Sequence, residues 1–216
     1  MSTANNALTA DAQALEITGL QTLAEDCVYM LPGCGDLMLR KTLQAVFREF
    51  CRRTGTLKAT DTGTVTYEDP ALPLCRDNGE MLVFISAKLG DEVRSPEDCT
   101  LNNDCGCLSV TFDLPEYEDD DDGNPVEHAA EATYSYVPRL GSESAPRWFL
   151  NKYGDALVAG TLFRLLSMPN QPWSDAATGQ LKGIEYQNAL NNAVVDRLTG
   201  GIKGDLNARA SLPFII

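Results

Sequence analysis

The segment DLMLRKTLQAVFREFCRRT, residues 36–54, repeats apolar side chains at the spacing of one helix face. Steps of three and four residues place side chains on the same side of an α-helix. The apolar positions, separated by steps of four, three, one and three, are Leu39, Leu43, Val46, Phe47 and Phe50. Asp36 is a suitable N-cap, and Gly55 is a suitable stop. We therefore predict an amphipathic helix from Asp36 to about Thr54 whose apolar face enters the core.

Three further helices are predicted along the chain. A short helix covers residues 22–30, and a long one begins at Pro146 and runs to about Met168. The second half of the long helix is apolar nearly all round, which is typical of a buried central helix. Ser174 is the predicted cap of the last helix, which ends near Thr199.

The last helix carries two apolar faces. The first face consists of Ala177, Leu181, Ile184, Val195 and Leu198, with Asn188 and Asn191 in the same stripe. The second face consists of Tyr186, Leu190, Ala193 and Val194. A helix of this kind lies between two layers of its own chain or contacts a neighbouring subunit. We predict that Tyr186 and Leu190 contact a partner.

Between these helices the hydrophobic pattern changes to period two. Leu108, Val110, Phe112 and Leu114 alternate with less apolar residues, as in a half-buried strand. Further strand-like segments cover residues 62–67, 81–85 and 132–137. The predicted fold class is α+β, a helical bundle of about four helices with a small antiparallel β insertion.

The chain is predicted to form one domain with two extensions. Residues 1–18 are an N-terminal arm, and residues 201–216 are a C-terminal tail. The domain, 19–200, has helices in 19–55 and 145–200 and a β-rich insertion at 56–140. The tail ends in apolar residues, and an apolar cluster of this kind usually marks a contact. We therefore expect Phe214, Ile215 and Ile216 to bind another chain.

Composition narrows the classes of function. The net charge is −14 and the isoelectric point is near 4.4, so phosphates would be repelled by the general surface. Such a protein can still surround DNA without gripping it. No apolar run approaches the ~20 residues that a bilayer span requires, so no membrane partner is expected. Seven scattered cysteines and the absence of a secretory signal pattern indicate reduced thiols in a cytosol.

Candidate chemistry is sparse. Cys99, Cys105, Cys107 and His128 have the ligand atoms of a zinc site, but their spacing lacks the usual short pairs. The alternative is that these cysteines are ordinary buried or half-buried thiols. His128 is the only histidine, and no motif around it indicates a catalytic base. We predict no catalytic residue, no cofactor and no enzyme activity.

Two charged groups are candidate interaction sites. The acidic run Asp119, Asp120, Asp121 and Asp122 is a solvated loop, a cation-collecting loop, or a loop that docks on a partner or lines a channel. Lys41, Arg48 and Arg52 form a basic stripe on the helix of residues 36–54. This stripe is either a solvated face or a contact with an acidic partner.

Two segments resemble the head-to-tail adaptor proteins of tailed bacteriophages. The first runs from Leu31 to Gly55 and contains LPGC, LRKTL and FREFCRRTG. The second runs from Pro146 to Ser174 and contains PRWFLNKYG, AGTLFRLL and MPNQPWS. Together they cover about a quarter of the chain. The β-rich region and its aspartate run match nothing in that family.

The resemblance implies a helical bundle with a β insertion, assembled as a ring of about twelve copies beneath the portal. We expect a structural virion protein, made in the host bacterial cytoplasm, that joins the portal to a tail tube or nozzle protein. DNA would pass through the ring without sequence-specific binding. The alternatives are another tail-completion or capsid accessory protein, or a metal-binding enzyme domain based on the Cys/His group and the acidic run.

Overall fold

A computed structural model of the chain describes residues 17–74, 79–104, 107–114 and 126–199. These residues contain four helices, as the sequence predicts: α1 (Gln21–Val28), α2 (Asp36–Thr54), α3 (Arg147–Leu166) and α4 (Ala176–Leu198). No helix among them is long and apolar enough to cross a bilayer.

Local chemistry sets the C-terminal end of α2 and the start of α4, whereas the N-cap of α2 is Gly35 and not the predicted Asp36. Gly55 adopts a left-handed conformation with φ 60°, and its N–H donates to the carbonyl of Cys51 at 2.8 Å, which closes α2. At the start of α4 the side chain of Asp175 accepts a hydrogen bond from the Thr178 N–H at 3.1 Å. The cap of α4 is therefore Asp175 and not the predicted Ser174.

The helical layer is built around α3, which contacts α1, α2 and α4. Its first turns carry Phe149, which is fully buried. The Phe149 ring lies edge-on to Phe47 and Phe50 of α2, with ring centroids 5.3 and 5.8 Å apart. The ring of Tyr153 lies 5.2 Å from Phe149 and 5.2 Å from Phe50. This aromatic cluster joins the two segments that carry the phage-adaptor resemblance.

Nine strands occur among the described residues. They are β1 (Ile17–Gly19), β2 (Lys58–Val65), β3 (Ala71–Pro73), β4 (Gly79–Leu89), β5 (Glu92–Arg94), β6 (Cys99–Asp104), β7 (Cys107–Phe112), β8 (His128–Pro138) and β9 (Ser144–Pro146). One antiparallel sheet has the order β2-β8-β4-β5, and a second has the order β3-β7-β6. In the first sheet β8 is central, and its register with β2 runs from Lys58 opposite Ser135 to Val65 opposite His128.

The prediction of a helical bundle with a small β insertion is wrong. Seven strands in two antiparallel sheets fill most of the region between α2 and α3, so the fold is α+β with a substantial sheet portion. This portion has a hydrophobic cluster of its own, centred on Val65, Val110 and Ala132. Part of this sheet portion could not be predicted from the sequence, because β5 and the polar end of β6, Asn102 to Asp104, show no alternating apolar pattern.

The two portions of the fold meet at Tyr136 of β8. Its N–H donates to the carbonyl of Leu57 at 3.0 Å, and its side chain packs against both hydrophobic clusters. At the other side of the helical layer, β1 pairs with β9, with Thr18 opposite Ala145. The end of the predicted arm is thus tied to the start of α3. Residues 1–16 of the arm and all of the tail lie outside the described residues.

Candidate interaction surface on the last helix

The fold orients the two apolar faces of α4 in opposite directions. Tyr186, Leu190 and Ala193 are buried against α2 and α3, with at most 5% of each residue exposed. The prediction that Tyr186 and Leu190 contact a partner is therefore corrected, because both belong to the core of the chain itself. Their burial follows from the small side chains of α3, where Gly160 leaves room for the Tyr186 ring.

The opposite face of α4 is open. Leu181, Ile184, Val195 and Leu198 are 62%, 59%, 53% and 71% exposed. Asn188 and Asn191 lie in the same stripe and are also exposed. We call these six residues, Leu181, Ile184, Asn188, Asn191, Val195 and Leu198, the outer seam. Exposed apolar side chains that are aligned along one face of a helix mark a contact surface far better than scattered ones do.

A shallow groove between α2, α3 and α4 extends the apolar surface beside Ile184. Phe163 of α3 lines this groove and is 38% exposed. Gly183 allows the Phe163 ring to lie on α4, because a Cβ at this glycine would come within 2.9 Å of the ring. The apolar surface of α4 therefore continues onto α3.

Charged residues line the far side of the groove. The guanidinium of Arg164 pairs with the carboxylate of Glu49, and Arg53 lies 3.6 Å from the other oxygen of Glu49. Arg164 thus has an ion-pair partner within the chain.

The hydroxyl of Tyr186 is buried and has no hydrogen-bond partner among the described residues. Burial, followed by the charge of Glu49, raises the pKa of the Tyr186 phenol, so this hydroxyl is protonated at neutral pH.

Two of the three residues in the basic stripe on α2 form ion pairs within the chain. The guanidinium groups of Arg48 and Arg52 lie 3.6 and 3.8 Å from the same carboxylate oxygen of Glu80, at the start of β4. Arg48 is mostly covered, whereas Lys41 and Arg52 remain exposed. The carboxylate that pairs with Arg48 and Arg52 therefore belongs to the sheet portion, although Arg52 and Lys41 are still accessible to a partner.

Two of the residues considered as zinc ligands, Cys99 and His128, lie in different sheets. Cys99 begins β6, opposite Phe112 of β7, while His128 begins β8, opposite Val65 of β2. The side chains of Cys105 and Cys107 lie outside the described residues, as do Asp119 to Asp122 and Phe214 to Ile216. Within the described part of the chain, no three His, Cys, Asp or Glu side chains are grouped to hold a metal ion.

The described thiols differ sharply in their environment. Cys27 and Cys51 are fully buried, while Cys34 and Cys99 are partly exposed. Burial raises the pKa of the Cys27 thiol to about 12 and holds the pKa of the Cys51 thiol well above its usual range. A raised pKa means a smaller thiolate fraction at any given pH, and the thiolate is the form that reacts with alkylating reagents.

We therefore expect iodoacetamide at about pH 8 to alkylate Cys34 and Cys99 in the native protein at least ~100-fold faster than Cys27 and Cys51. Raising the pH by one or two units should leave Cys27 protected, since its pKa is about 12. Peptide mapping by mass spectrometry after short labelling times measures each site. In guanidinium chloride all four should react at similar rates, and fast labelling of Cys51 in the native state would contradict the described packing.

A scan against protein-family models finds no match for this sequence, and a search of curated proteins finds none either. The likeness to phage head-to-tail adaptors therefore stays a prediction that rests on the two segments quoted above. The candidate site is the outer seam, which was visible in the sequence as one of two apolar faces. The predicted partner contact lies on the other face, that of Tyr186 and Leu190, and this face is the buried one.

Proposed function

We propose that the protein is a structural virion subunit, a head-to-tail adaptor that forms a ring between a portal and a tail. The observation that carries this proposal is the outer seam of α4, an apolar stripe exposed on the side of the helix opposite its own core. A stripe of this kind is costly to leave in water, and a subunit of an assembly covers it with a neighbour.

Two further properties support the proposal. The segments that resemble the adaptor family pack against each other as α2 and α3, through Phe47, Phe50 and Phe149. The net charge of −14 suits a ring through which DNA slides, because an acidic wall repels phosphates. In a ring each subunit uses two different surfaces, one for each neighbour. The outer seam is one of these surfaces in the proposed assembly.

The test is co-expression of the full chain with the portal protein encoded in the same genome, followed by purification and electron cryomicroscopy. We expect a ring of this chain seated on the portal, with α4 between neighbouring copies. A complex in which the chain binds a tail or capsid component but not the portal would overturn the adaptor proposal. So would a chain that does not enter any particle complex.

A matched pair of variants tests the role of the outer seam in the ring. Leu198→Asp places a charge in the seam, while Val93→Asp places the same charge on β5, where Val93 is 64% exposed. Both residues are exposed, so both variants should keep the fold, which circular dichroism can check. We expect Leu198→Asp to lose ring formation on the portal and Val93→Asp to keep it. Equal loss in both variants, or in neither, would contradict the assignment of the seam.

A further inference from the structure

The outer seam has the spacing of a helix–helix contact. From Leu181 to Leu198 its six positions follow one another in steps of three, four, three, four and three residues. An average step of three and a half residues is the repeat that keeps two α-helices in contact along their length. A stripe that merely faces a globular core is broader. The seam therefore fits one partner helix lying along α4.

The outer seam has the same order of side-chain types from the N-terminal end of α4 as from its C-terminal end. Its chemical order is apolar, apolar, amide, amide, apolar, apolar, and its steps are symmetric about the centre. An antiparallel second copy of α4 would place Leu181 opposite Leu198, and Ile184 opposite Val195. It would also place Asn188 opposite Asn191. Every apolar side chain then meets an apolar one, and the amides meet each other.

We propose that two copies of this chain pair through their outer seams, with the two α4 helices antiparallel about a two-fold axis. A two-fold contact requires a surface that is complementary to itself, and the seam meets this condition. The paired amides at the centre set the register, because a shift along the helix would bury an amide against an apolar side chain. The opposite partial charges at the ends of two helices favour the antiparallel direction.

Charge and area both permit this contact. The charged residues of α4 are Lys182, Glu185, Asp196 and Arg197, so this helix is neutral in a chain whose net charge is −14. Its four apolar seam residues are each more than half exposed. If each of these side chains buries roughly 100 Å² of accessible surface, the eight in two copies together bury about 800 Å². The amides and the flanking residues bring the buried area to the ~1,000 Å² expected of a biological interface.

The inference concerns the free chain and does not depend on the proposed ring. A two-fold contact closes on itself and adds no third subunit. The dimer therefore covers the seam without starting a polymer. In the proposed ring, the outer seam instead contacts a different surface of the neighbouring copy, so the two-fold dimer must separate when the ring forms on the portal.

Sedimentation equilibrium of the isolated full chain tests the dimer. At micromolar concentration we expect twice the 23.5 kDa chain mass. Ile184→Asp should raise the dissociation constant at least about tenfold, because it buries a charge in the seam. Val93→Asp on β5 is the matched control and should stay dimeric. A monomeric wild-type chain, a larger oligomer, or an Ile184→Asp variant that dimerises as before would overturn the proposal.

A mixing experiment tests the direction of the helices. Ile184→Asp and Val195→Lys should each weaken the dimer when alone. In the antiparallel arrangement a mixture pairs the new carboxylate with the new ammonium group, so dimers should return. A parallel pairing places both charges against apolar residues and gives no recovery. Because no portal is present, failure here leaves the ring proposal standing, and failure of the ring leaves the dimer standing.

Discussion

Phe149→Ala is expected to lower the free energy of unfolding by about 3–5 kcal/mol. Phe149 is fully buried, and four aromatic rings, those of Phe47, Phe50, Tyr153 and the partly exposed Trp148, lie within 6 Å of it by centroid distance. Truncation leaves a cavity that these rings cannot refill, because they belong to different turns and two different helices. Urea unfolding followed by circular dichroism measures the effect.

Trp148 provides the control for this variant. It precedes Phe149 on α3, but it is 40% exposed. Trp148→Ala removes a larger side chain at the neighbouring position, yet we expect a smaller loss, about 1–2 kcal/mol, because water already reaches much of the indole. If the two variants lose equal stability, the described burial of Phe149 is wrong.

Gly160→Val is expected to destabilise the protein by about 3 kcal/mol, through overpacking where α2, α3 and α4 meet. A Cβ at Gly160 would lie 2.8 Å from the ring of Tyr186 and 2.8 Å from a methyl group of Val46. Both neighbours are buried, so neither can swing into solvent. The gain in helix propensity on removing a mid-helix glycine, up to about 1 kcal/mol, does not offset this clash. Thermal and urea unfolding measure the net change.

Gly183→Val on α4 is the matched variant. A Cβ there would also meet an aromatic ring, that of Phe163, at 2.9 Å. Phe163 is 38% exposed and can move outward, so we expect a change within about 1 kcal/mol. A loss at Gly183 as large as at Gly160 would mean that Phe163 is held more firmly than its exposure indicates.

The helices were predictable because their signals are local. The apolar steps of residues 36–54 and the apolar band of the 146–168 segment each specify a helix without reference to the rest of the chain. Gly55 ends α2 as expected, since its left-handed conformation is cheap for glycine alone. The extent of the sheet was not predictable in the same way. Strands such as β5 and β6 carry too few apolar residues, and pairing with β4 and β7 makes them strands.

The sequence by itself determined that α4 has two apolar faces, because both stripes are visible at helical spacing. Only the tertiary structure decided which face belongs to the core. Gly160 on α3 provides space for the Tyr186 ring, and Leu190 and Ala193 follow Tyr186 onto the same side. Each residue turns about 100° around a helix, so burying this side leaves Ile184 and Val195 facing outward. The exposure of the outer seam thus results from packing at α3, a contact between residues far apart in the sequence.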